Sequence, residues 1–252
     1  HINQWKKRTE NFLFTKIESE ITMNKETLLK RFLPFCFALI VINLLIARIF
    51  YPPNGNKVFS DVWDTISGLG DMEDNPIGWI FFQIAMVISG ITIIPVARNI
   101  QSTMIQIQKG NAIIGVLFLY IGAIGFLLTG FIPDDTFPIN KLHEITAGLG
   151  FGGVLFAAFF LFWPSLKGLN SIIDKRMLIN ITLLWWIPLI LFIIAFGWAE
   201  LVIKEQYDLG WYSIEWEEAG VNPFFSFAVW ERILYVVMFA YLWLLPKSIK
   251  EE

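Results

Sequence analysis

Cysteine, histidine and charge are all scarce in this chain of 252 residues. The one cysteine, Cys36, lies in an apolar run, which excludes an intrachain disulfide and any thiolate metal cluster. Its expected role is that of a small buried or lipid-facing hydrophobe. The two histidines are His1 and His143. His1 lies far outside the apolar segments, which argues against a bis-histidine haem within one chain. Charged residues make up 16% of the chain, against about 25% in ordinary soluble domains. With a formal net charge of −3 and no basic block, the sequence offers no footprint for nucleic acid. It also lacks a phosphate-binding glycine loop, a nucleophile elbow, an H-E-x-x-H pair and an EF-hand. The spacing of Asp71-Met-Glu-Asp74 matches no calcium loop. No metal and no cofactor are expected.

What is abundant is apolar surface. Hydrophobic residues reach 56%, aromatics 16%, and the mean hydropathy is +0.59. A soluble domain of this size has no core large enough to hide that much. Crossing a bilayer takes about 20 apolar residues. Six segments meet that length, at 32–50, 77–97, 112–132, 143–166, 178–201 and 224–245. The expectation is an all-α polytopic membrane protein, a six-transmembrane-helix bundle spanning 23–252 with membrane lipid as its partner. Residues 1–22 are polar, and Met23-Asn-Lys-Glu-Thr reads like a natural start. That stretch is therefore expected to be a non-native or disordered extension.

Lys and Arg set the expected orientation. Ten of them (Lys25, Lys30, Arg31, Arg98, Lys109, Lys167, Lys175, Arg176, Lys247 and Lys250) fall on one side, against Lys57, Lys141 and Lys204 on the other. The ten-residue side is expected to be cytoplasmic, with both termini inside and the plasma membrane as the location. The opposite side carries an excess of Asp and Glu, from Asp61 to Glu218.

Asn75-Pro76 reads as a cap followed by the first helical residue of span two, and Asn140 can cap span four likewise. Spans three and four are rich in glycine. Gly148 and Gly152 are four apart and so share a helix face, which predicts close contact between these spans along that face. Trp185, Trp186, Trp198, Trp211, Trp216 and Trp243 are expected to form interfacial belts.

Charged groups within spans are costly and usually meet protein or water. Arg48, Glu144, Glu231 and Arg232 qualify, with Gln83 at comparable depth. Glu231 and Arg232 are adjacent and project about 100° apart, so each needs a partner on another helix. His143 is the one span residue with an ordinary pKa near neutrality. His143 and Glu144 are candidates for general acid/base work on a lipid headgroup. The alternative is a polar network that holds the helices in order.

Ser67-Gly-Leu-Gly-Asp71, Asn75-Pro76, Leu142-His143 and Glu231-Arg232 resemble the prokaryotic membrane family called domain of unknown function 998. The resemblance runs from about residue 33 to 245, leaving out the acidic loop 204–223. More distantly, the chain is similar to the eukaryotic Frag-like and autophagy-modulator membrane proteins. The resemblance implies six membrane helices and no established reaction. It also implies that Asp71, Asn75, His143 and Arg232 belong together. The expected binding pocket comprises Asp71, Asn75, Gln83, His143, Glu144, Glu231 and Arg232. Three functions compete: lipid-headgroup binding, an enzyme acting on a lipid or lipid-linked substrate, and a small proton-coupled transporter. Invisible inverted repeats weigh against transport, and the missing nucleophile weighs against hydrolysis.

Overall fold

The computed structural model describes residues 23–52, 59–133, 141–207 and 215–250. The extension 1–22, Asn140 and Trp211 lie outside these. Among the described residues, six helices are long and apolar enough to cross a membrane: α1 (Lys25–Ile49), α2 (Gly78–Ile107), α3 (Lys109–Phe131), α4 (Leu142–Lys167), α5 (Lys175–Tyr207) and α6 (Phe227–Ser248). Among the described residues there is no strand, only isolated bridges. The expected all-α six-span bundle is the fold observed.

Neighbours in sequence pack as neighbours in space from α1 to α4, while α6 lies on α5 and reaches α2. The helices alternate in direction, so the bundle has a basic end and an acidic end. At the basic end, Lys25 Nζ donates to Ile249 O at 2.5 Å. There the Asp174 amide donates to Ser248 O, and the Lys250 amide to Ile172 O, both at 2.8 Å. These bonds tie the start of α1, the turn between α4 and α5, and the end of α6 together.

Helix limits differ from the hydropathy limits for local reasons. Asn24 Oδ1 accepts from the Glu26 amide at 2.7 Å, so α1 starts before its apolar run and passes through a wide turn at Leu28–Phe32. The α2 helix runs ten residues past Ala97, because Val96, Ile100 and Met104 recur every fourth residue and are all fully buried. Arg98 is therefore on a helix and not in a loop. The α6 helix starts at Phe227, since Pro223–Phe225 form a short turn capped by Asn222. Glu231 and Arg232 then lie only about 6–8 Å along the axis.

Spans three and four do pack, but not along Gly148 and Gly152. A Cβ on either of those would meet nothing within 4 Å. The contact face belongs to Gly122 and Gly125 on α3 with Gly150 and Gly153 on α4. A Cβ on Gly125 would strike the Gly150 backbone, and one on Gly153 would strike that of Gly122. Two i,i+3 pairs meet there, whereas the i,i+4 pair faces outward. The belt reading of the tryptophans is also corrected in part. Trp185 is 6% exposed and packs on Tyr241, and Trp216 is buried with Ala199, Ile203 and Val221. Trp198 is exposed, as a belt residue should be.

Candidate functional site

The acidic end is organised by the segment 59–75, which folds through its own short polar side chains. Ser60 Oγ accepts from the Val62 and Trp63 amides, and Asp64 Oδ2 accepts from the Ser60 amide at 2.7 Å. Ser67–Gly70 form one tight helical turn. Asp71 Oδ1 then accepts from the Glu73 and Asp74 amides at 2.7 and 2.9 Å.

Asn75 is fully buried and holds this segment to two helices. Its amide donates to Ala47 O at 3.1 Å and Leu69 O at 2.9 Å, while its Oδ1 accepts from the Gly78 amide at 3.0 Å. Its own carbonyl accepts from the Trp79 amide, so Asn75 closes the turn that leads into α2; the helix itself starts at Gly78 with Ile77 as its N-cap, two residues later than the expected cap at Asn75. Gly78 carries no side chain because a Cβ would collide with Asn75 and with Ala47 O. Tyr51 donates to Asp74 Oδ2 at 3.3 Å. Burial, together with the carboxylates of Asp74, Asp64 and Asp71, pushes its phenol well above the usual value.

The charges of α6 find their partners in this segment and not on the other spans. Glu231 Oε2 accepts from the Ile66 amide at 2.6 Å. Ser226 Oγ donates to Val62 O. Arg232 bonds its own helix at Ala228 O at 2.9 Å and lies 4.0 Å from Asp61 Oδ1. Arg48 of α1 approaches the same carboxylate, with Nε at 3.1 Å, and donates to Phe59 O at 3.1 Å. Both guanidiniums stand over the Phe59 ring, at 5.0 and 5.8 Å from its centroid. Asp61 itself is 64% exposed.

Below Arg48, Asp61 and Arg232 a groove of about 360 Å³ runs between α1 and α6. Its walls are apolar, with Val41, Leu45 and Val236 exposed along it and Phe37 stacked edge-on against Phe239 at its base. A second, much smaller cavity of about 10 Å³ lies on the other side of Ile66 and Tyr235, which line both. His143 and Glu231 share this smaller cavity.

His143 is 4% exposed, and its Nδ1 lies 2.7 Å from Ile132 O. A carbonyl only accepts, so Nδ1 carries a proton and Nε2 of the neutral ring is an acceptor. That Nε2 is buried and has no partner among the described residues. Glu144 follows His143 in the first turn of α4 yet is exposed, so the two do not converge on one reacting atom. Gln83 lines neither cavity, and its buried Nε2 also lacks a partner among the described residues. Asp71 and Asn75 stabilise the segment, and Arg232 heads the groove. The structure thus gathers the expected residues at one end and divides them among three settings. Arg48, Phe59, Asp61 and Ile66 complete those settings. Only Arg48 was among the candidates, because the others come from loop residues with no periodic signal.

Among the described residues no three of His, Cys, Asp and Glu converge as metal ligands would. No protein-family model, curated protein or solved structure matches the chain.

Proposed function

We propose that this is an integral protein of the plasma membrane that holds a lipid by its headgroup in the outer half of the bundle. One observation carries the reading: an apolar groove between two spans ends at a pair of guanidiniums. The walls suit an acyl chain. Arg48 and Arg232 share the carboxylate of Asp61 at the groove mouth, and their forked N–H donors suit a phosphate or carboxylate headgroup. Asp61 is exposed and can give way to a stronger anion at the same two arginines. The ten-to-three distribution of Lys and Arg supports cytoplasmic termini, with the acidic end and the groove mouth outside. Kinship with the family named above is part of the same proposal and adds no reaction to it.

Native mass spectrometry of the full chain, released from membranes in mild detergent, tests this. The wild type is expected to retain one anionic lipid. Arg48→Gln with Arg232→Gln should lose it, as should Val236→Trp, which fills the groove and leaves the charges in place. Retention unchanged in Val236→Trp, or no lipid on the wild type, overturns the proposal.

A further inference from the structure

The cavity shared by His143 and Glu231 serves no part in holding a lipid. It combines three features that together point to a proton. The first is a buried imidazole with its Nδ1 fixed on a backbone carbonyl, so that Nε2 alone remains to exchange a proton. The second is Glu231, which lines the same small space and accepts from the Ile66 amide. The third is the space itself: about 10 Å³ is at the lower bound for a single water, and the walls also carry Thr129 and Tyr235.

We infer that His143 and Glu231 form one proton-binding site, joined by a single water in the cavity between them. With both groups deprotonated, the water donates one hydrogen to Nε2 and the other to the carboxylate. Adding a proton gives an imidazolium whose Nε2–H donates to the water oxygen, while the water keeps donating to Glu231. No bond other than N–H or O–H forms or breaks, and the pair titrates as a unit.

Among the described residues, no other carboxylate or imidazole lines the cavity. The segment 59–75 contributes Ser67 and no charge to the cavity, while α2 and α3 contribute no titratable group. The α4 helix contributes His143. The α6 helix contributes Glu231 and Tyr235, whose hydroxyl is 2.8 Å from that of Ser89. Among the described residues, Arg232, one residue along α6, is turned toward Asp61, and Glu144, next to His143, is exposed. The site does not depend on the lipid reading, since its groups lie behind the wall formed by Ile66 and Tyr235.

Infrared titration of the full chain in lipid nanodiscs tests it through the protonated-carboxyl band. Glu231→Gln should remove one titrating carboxyl. His143→Gln should raise the midpoint of that carboxyl by about one pH unit or more, roughly tenfold in proton affinity, because the carboxylate then loses the imidazolium that keeps it charged. The wild type supplies a check that needs no variant at this site. With nitrogen-15 histidine, and His1→Gln to assign the other signal, Nε2 of His143 should take up its proton at a higher pH than the carboxyl does. A Glu231 midpoint unmoved by His143→Gln, or an Nε2 that takes up its proton only after the carboxyl has, overturns the inference.

Discussion

Between α3 and α4 the backbones close until Gly122, Gly125, Gly150 and Gly153 leave no room for a Cβ. Between α1 and α6 large side chains stand apart and enclose about 360 Å³. Both regions are built almost wholly from apolar residues, so hydrophobicity does not separate them. In a bilayer there is no hydrophobic gain from pressing two helices together, and close van der Waals contact must hold them. Small residues on facing turns allow that contact. Phe37, Val41, Leu45 and Val236 line the gap instead, and across it α1 and α6 are linked at the acidic end through the polar segment 59–75. A packed seam and an open groove thus follow from side-chain size, and the charges are placed at the open one.

The largest effect is expected at the seam. Gly125→Leu or Gly153→Leu should cost about 3 kcal/mol or block assembly, because backbone and not a flexible side chain stands in the way. Gly148→Leu and Gly152→Leu should leave the melting temperature in detergent within the scatter of the wild type. Equal losses at all four positions would erase the distinction between the two faces. Asn75→Ala comes next, at about 2–3 kcal/mol, since Ala47 O, Leu69 O and the Gly78 amide all lose a partner in a buried place. Glu231→Ala should cost about 1–3 kcal/mol by stranding the Ile66 amide, and proteolysis within 59–75 should speed up accordingly. The smallest effect is expected at the groove mouth. Arg232→Gln should cost only about 0–1 kcal/mol, because its partner Asp61 is 64% exposed and 4.0 Å away. A loss above that range would show that the groove is held shut by charge.

The spans could be read from the sequence because hydropathy over 18 or more residues reports directly on what a bilayer admits. Their limits could not. The tail of α2 is polar in composition, and only the burial of Ile100 and Met104 against other helices shows why it stays helical. Glycine spacing likewise says which residues share a face but not which face meets a neighbour, hence the misplacement onto Gly148 and Gly152. Glu231 and Arg232 were recognisable as charges in need of partners. The partners themselves, an amide at Ile66 and a carboxylate at Asp61, belong to a loop that carries no helical period. His143 was legible as a residue type, whereas the division between a buried His143 and an exposed Glu144 depends on how the first turn of α4 is rotated.

The claim that most needs testing is that lipid occupies the groove and not the bundle surface at large. An anionic lipid with a photoreactive group in its acyl chain, incorporated into nanodiscs with the full chain, addresses this directly. Crosslinks read by peptide mass spectrometry are expected to concentrate on α1 and α6 near Val41 and Val236, and to vanish in Val236→Trp. Crosslinks spread evenly over the exposed faces of α3, α4 and α5, and unchanged by Val236→Trp, would contradict the account.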